Sequence, residues 1–158
     1  LTEQGDFQRA RERACRLLAR RARSRQELAR RLAMAGFEPP VIGQVLDRLQ
    51  EAGLLDDLAF ARQWVSWRLA EHPLGRTGLD YELRQKGVPA EIIEQALAGL
   101  DEEKQFQSAL ELAGRRRERM GERYAWPKVA AFLQRRGYKY DIIFRVYRCL
   151  EGQTGDKP

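Results

Sequence analysis

Residues 24–37 read SRQELARRLAMAGF, and their pattern returns as GRTGLDYELRQKGV over 75–88 and as AWPKVAAFLQRRGY over 125–138. Aligned on Gly36, Gly87 and Gly137, each stretch has an apolar residue eight before the glycine (Leu28, Leu79, Val129). A leucine stands four before it (Leu32, Leu83, Leu133), and Phe37, Val88 or Tyr138 follows it. Outward from there the match continues through Val41-Ile42, Ile92-Ile93 and Ile142-Ile143, then Val45, Ala96 and Val146, then Leu46, Leu97 and Tyr147, and finally Leu49, Leu100 and Leu150. Self-similarity at a period near fifty residues marks one supersecondary unit used several times. The apolar spacing is three and four, never two, so the unit is built of amphipathic helices.

Each unit reads as three helices. In the first, a helix over roughly 8–22 carries Ala10, Ala14, Leu17 and Leu18 on one face. Ser24 with Glu27 three residues later forms a capping box, so the second helix starts near 25. Gly36 ends it, because the position after a helix C-cap favours a positive φ that glycine adopts without steric cost. Pro39 and Pro89 preset φ for the third helices of units one and two. Gly53 stops the third helix of unit one, and Asp56 caps the next. Leu55 and Phe60 around that cap form a hydrophobic staple, and Asp57 lies in the first turn, where negative charge suits the helix dipole. His72-Pro73-Leu74-Gly75 breaks that helix; the next two run near 77–86 and 89–99. Asp101 caps a helix bearing Phe106, Ala109, Leu110 and Ala113, whose polar continuation Arg115–Arg123 is expected to fray. The last two helices begin at Pro127 and Tyr140. The expected architecture is all-α: an elongated tandem array of three three-helix repeats over 1–52, 53–100 and 101–150, with a disordered tail over 151–158.

Composition bounds the function. A hydrophobic fraction of 43% in 158 residues supports a core. Twenty-nine Lys and Arg against 23 Asp and Glu give a net charge of +6, which favours an acidic partner, nucleic acid above all. The charge is uneven: 11 basic against 6 acidic groups over 1–49, 5 against 8 over 50–100, and 13 against 9 over 101–158. An acidic middle argues against a uniform electrostatic glove for DNA. Cys15 and Cys149 sit among apolar neighbours and read as reduced, buried thiols, in keeping with a cytoplasmic setting. No run approaches the ~18 apolar residues of a membrane span, and no secretory leader pattern opens the sequence. It starts on Leu1 in place of Met, so upstream residues are expected.

Chemistry-bearing motifs are sparse. There is no Gly-rich loop followed by Lys-Ser/Thr. His72, the single histidine, has no partners at ligand spacing and reads as a loop residue. Asp56 and Asp57 read as capping groups, not as a catalytic carboxylate pair. No catalytic residue, cofactor or metal is therefore expected, and any ATP-driven process this protein alters must run on a partner's nucleotide site. Basic residues cluster at Arg20, Arg21, Arg23, Arg25, Arg30 and Arg31, at Arg115–Arg119, and at Arg135, Arg136 and Lys139; Arg84 and Lys86 flank the middle turn. They are a solvated helix face or contacts to phosphates or an acidic groove. Among the aromatics, Trp64 and Tyr138 fall at core positions, whereas Trp67, Tyr81 and Tyr140 stay open as stacking candidates for single strands.

The run Gly-Leu-Leu-Asp-Asp-Leu-Ala-Phe-Ala-Arg (53–62), followed by Gly75, Tyr81-Glu82-Leu83 and Lys86-Gly87-Val88, resembles the signature of the bacterial RecX regulatory proteins. Residues 24–28 through Gly36-Phe37 resemble that family's first repeat, and 132–138 its third. Thr77-Gly78-Leu79 departs from the pattern, where a bulkier, more helix-favouring run belongs. A monomer without enzymatic activity is expected, and the resemblance implies a protein that binds the RecA recombinase filament on single-stranded DNA. It implies restraint of filament extension, strand exchange and ATP hydrolysis, and so a role in DNA repair, homologous recombination and the SOS response. Direct contact with single- or double-stranded DNA would be weak. The candidate partner contacts are Arg25, Arg31, Lys86, Arg135, Arg136 and Lys139. The alternative is a helix-turn-helix-like DNA-binding module. Against it, the third helices of units two and three offer Glu91, Glu94 and Asp141 where a recognition helix carries Arg, Asn or Gln.

Overall fold

The computed structural model describes residues 3–152, and among them the chain is helical without strands. Nine α-helices follow one another: α1 (Glu3–Arg20), α2 (Arg25–Met34), α3 (Pro39–Glu51), α4 (Asp57–Glu71), α5 (Arg76–Gln85), α6 (Ala90–Leu97), α7 (Glu102–Met120), α8 (Trp126–Arg135) and α9 (Tyr140–Gly152). A short 3₁₀ turn, Gly121–Arg123, separates α7 from α8. α9 continues through residues 151 and 152 of the expected tail; the rest of that tail lies outside the described residues. No helix among the described residues is long and apolar enough to cross a membrane.

The helix ends follow from local chemistry. Ser24 is extended (φ −74°, ψ 159°), and its Oγ accepts the Glu27 amide at 3.1 Å, a standard N-cap bond. Asp56 Oδ1 accepts the Ala59 amide at 3.1 Å, and Asp101 takes the amides of Glu103 and Lys104. The three repeated glycines close their helices alike. Phe37, Val88 and Tyr138 donate back to Leu32, Leu83 and Leu133, while Gly36, Gly87 and Gly137 donate to Ala33, Arg84 and Gln134. This is the Schellman closure, which an apolar residue after the glycine commonly accompanies; Phe37 and Tyr138 pack in the clusters that hold Leu32 and Leu133.

The chain divides into two compact units, Leu1–Trp64 with Leu83–Ala96, and Val65–Glu82 with Leu97–Pro158. The boundary runs through α4, α5 and α6. In the first unit Ala10, Ala14 and Leu17 of α1 pack with Leu28 and Leu32 of α2, with Ile42, Val45, Leu46 and Leu49 of α3, and with Leu55. In the second, Phe106, Ala109 and Ala113 of α7 pack with Val129 and Leu133 of α8 and with Tyr138, Ile142, Ile143 and Val146 of α9. Alanines at the centre of α1 and of α7 let each helix approach its neighbours closely. The stretch expected to fray after Arg115 instead stays helical to Met120. Arg116 lies 4.4 Å over Phe132, Arg117 lies 4.6 Å over Tyr124 and bonds the Leu150 carbonyl, and Tyr124 donates to Glu151.

Candidate functional site

In both units the N-terminal turn of a second helix is seated on the glycine turn of the following stretch. In the first unit Ser24 Oγ donates to the Lys86 carbonyl. Turned so that both ends of its side-chain amide are satisfied, Gln26 donates to the Gly87 carbonyl at 3.3 Å, and the Arg25 backbone amide donates to Asp57 Oδ1 at 2.8 Å. In the second unit the Gly75 amide donates to the Arg136 carbonyl at 2.8 Å and Thr77 to Gly137 at 3.1 Å. There the Arg76 amide finds Gln105 Oε1 at 3.0 Å. The clamp is made twice with different atoms: a carboxylate and side-chain donors in one unit, an amide and backbone donors in the other. Backbone lies directly on backbone in the second, and a Cβ on Gly78 would stand 2.8 Å from the Arg136 carbonyl. The departure at Gly78 is thus a packing requirement, and α5 begins before it, at Arg76.

This clamp arranges the cations. Lys86, beside the first unit's clamp, holds its ammonium 4.5 Å over the Trp64 ring and 3.9 Å from Glu27. Glu27 also faces Arg21 at 3.0 Å and Arg23 at 4.0 Å. Its buried oxygens accept no hydrogen bond, so the capping box is half made, with the carboxylate spent on neutralising cations. Arg23 is buried and donates to the Leu17 carbonyl at 3.2 Å. Burial and Arg21 hold its pKa below the ordinary arginine value. Lys86, Arg21, Arg23, Glu27, Arg30 and Arg31 border one hollow of about 360 Å³. Arg31 also borders a second hollow, of about 200 Å³, with Arg13, Arg16 and Arg20. All four are exposed, and none forms an ion pair among the described residues. Two hollows sharing Arg31 thus carry a dense positive field answered by one carboxylate.

Of the candidate contacts, Arg31 and Lys86 meet here. Arg25 is engaged structurally: it pairs with Asp47 at 2.8 Å and donates to the Gln50 side chain, tying α2 to α3. Arg135 and Lys139 are exposed on either side of the Gly137 turn, and Arg136 lies over Phe132 at 5.5 Å. Arg13 and Arg16 escaped the sequence reading, although with Arg20 they stand at i, i+3 and i+7, one face of α1.

A second feature lies in the other unit. Trp126, Ala130, Gln134, Tyr138, Tyr140, Ile143, Phe144 and Tyr147 line a groove of about 490 Å³. Tyr140 is 76% exposed, Phe144 45% and Tyr147 39%. Tyr147 shares a repeat position with Leu46 and Leu97, yet those two are buried; the aromatic instead turns to the groove. Trp64, expected in the core, is half-buried beneath Lys86. Among the described residues no three His, Cys, Asp or Glu side chains converge to hold a metal.

The family signature described as RecX, first three-helix domain, matches residues 10–49, and that of the second three-helix domain matches 56–97. The chain belongs to the RecX family. It is 42% identical over 146 residues to the regulatory protein RecX of Mycolicibacterium vanbaalenii, covering 87% of this chain and 79% of that one. The RecX of Amycolatopsis mediterranei is 37% identical over 145 residues, covering 90% and 83%. The crystal structure of RecX from Lactobacillus salivarius superposes with a TM-score of 0.87 over 94% of this chain and 98% of that one, at 22% identity. A second crystal structure of regulatory protein RecX gives 0.84 over 95% and 73%, also at 22%. At that identity the likeness is one of fold. RecX relatives carry the word regulatory in their names, and the α2–α3 and α5–α6 turns with their cations fall within or beside the matched domains.

Proposed function

We propose that this RecX chain is a non-enzymatic monomer that binds the RecA recombinase filament on single-stranded DNA and restrains its extension, strand exchange and ATP hydrolysis. In this reading it acts in the cytoplasm, in DNA repair and recombination, and touches DNA directly through weak, salt-sensitive contacts. The observation that carries the reading is the pair of hollows around Arg31, where Arg13, Arg16, Arg20 and Arg31 are exposed and form no ion pair among the described residues. A large assembly with many anionic groups is what such a patch selects, because charge complementarity sets approach rate and register. The three-helix units do not suit base reading in the major groove, since Glu91 and Glu94 are exposed on α6, where a recognition helix needs donors.

The test is the double reversal Arg16→Glu with Arg31→Glu. Both side chains are exposed, so helical circular dichroism and the melting transition should stay as in the parent chain. Affinity for RecA filaments assembled on single-stranded DNA should fall at least ten-fold, measured by co-sedimentation. Unchanged affinity removes this patch from the filament interface.

A further inference from the structure

The groove between α8 and α9 has the makings of a site for unpaired bases. Tyr140, Phe144 and Tyr147 stand at i, i+4 and i+7 on α9, which puts three rings on one face. Tyr140 and Phe144 stack with centroids 6.2 Å apart and planes within 14°; Phe144 and Tyr147 follow at 6.4 Å and 25°. Trp126 closes the row, 5.1 Å from Tyr147. Tyr147 is exposed where the matching Leu46 and Leu97 are buried, and Tyr140 and Phe144 put aromatic rings at positions where the other repeats carry Pro39 and Ala90, or Gly43 and Glu94, none of them a buried aliphatic residue. No carboxylate lines the groove, and Gln134 adds an amide able to meet a base edge.

Charge selects the occupant. From Trp126 to Arg148 the chain carries Lys128, Arg135, Arg136, Lys139 and Arg148 against Asp141, besides Arg145, which pairs with Glu103 at 3.0 Å. Arg148 lies 5.4 Å over Phe144, a cation placed on the same ring that a base would cover. Exposed aromatics flanked by cations are what a single strand binds: bases stack on the rings and phosphates run past the guanidinia. A duplex keeps its bases stacked inside and has no use for the rings.

We infer that the α8–α9 groove binds single-stranded nucleic acid by stacking unpaired bases on Tyr140, Phe144 and Tyr147. The inference rests on the DNA contact proposed above and gives it a site, separate from the arginine hollows of the other unit.

The experiment is fluorescence anisotropy of a labelled twenty-nucleotide oligo-dT and of a twenty-base-pair duplex at moderate salt, with no recombinase present. The single strand should bind more tightly than the duplex. Tyr140→Ala and Phe144→Ala should each weaken single-strand binding by about 5- to 150-fold, the range found for losing one base–aromatic stack. Tyr140→Phe should keep it. The dependence of log affinity on log salt should hold in all of these, since the phosphate contacts remain. Single-strand affinity unchanged in Phe144→Ala, or a duplex bound as tightly as the single strand, overturns the site. Assayed on the recombinase, the same variants separate the two proposals. ATPase suppression kept while strand binding is lost leaves the filament reading standing, and strand binding with no effect on recombinase leaves this one.

Discussion

Asp57 shows how much one side chain can carry that its place in sequence conceals. Sequence puts it in the first turn of α4, where a negative charge suits the helix dipole. The folded chain buries it and points Oδ1 at the first amide of α2. Burial raises its pKa, and the bond from the Arg25 amide pulls the other way. A carboxyl raised in the folded state favours its protonated form there. Its contribution to stability is therefore fullest below the ordinary aspartate range and falls as pH rises through the raised folded value. Asp57→Asn keeps an acceptor for the Arg25 amide, removes the buried charge, and should leave stability at neutral pH level or slightly higher while flattening that pH slope. Asp57→Ala strands the amide and should cost about 0.5–2 kcal/mol, as other lost caps do. Urea unfolding of the three proteins at pH 4 and pH 7 checks both. A neutral Asp57→Ala would mean the clamp does not depend on this bond.

At the scale of elements, three glycine turns have one sequence pattern and two different surroundings. Gly36 has φ +94° with nothing near a prospective Cβ, whereas Gly137 has φ +81° and lies on the backbone of Thr77 and Gly78. Gly36→Ala should cost only the left-handed backbone, about 1–2 kcal/mol. Gly137→Ala adds a collision with rigid backbone and should cost at least about 1–3 kcal/mol more. Equal losses on chemical denaturation would show that the contact seen at Gly137 is not tight. The elements themselves were legible, because period, caps and glycines all point one way: α2, α3, α5 and α8 begin within a residue or so of their sequence signals. What period could not reveal is what lies on top of each turn. Gly78 reads as a weak helix residue until the Arg136 carbonyl is seen above it. Tyr147 reads as core because its position is apolar in the other repeats, and its exposure depends on the groove that Trp126 and Tyr140 complete. Arg13 and Arg16 were readable from their helical spacing; their convergence with Arg31 required α1 packed beside α2.

On the scale of the molecule, charge and shape are divided between tasks. The first unit concentrates unpaired arginines around α1 and α2, and the second pairs cations with exposed aromatic rings on α9. The cationic hollows of the first unit are open, with volumes of a few hundred Å³. Exposed cationic surfaces suit a partner of opposite charge, which is the premise of the recombinase reading. The decisive measurement is the ATPase rate of the cognate RecA on single-stranded DNA with this protein titrated in. The rate should fall as the protein is added, at fewer copies than recombinase subunits if growth of the filament is blocked, or near one-to-one if its groove is coated. A rate unchanged at moderate salt, with the protein folded and in excess, would mean that this chain does not restrain the filament.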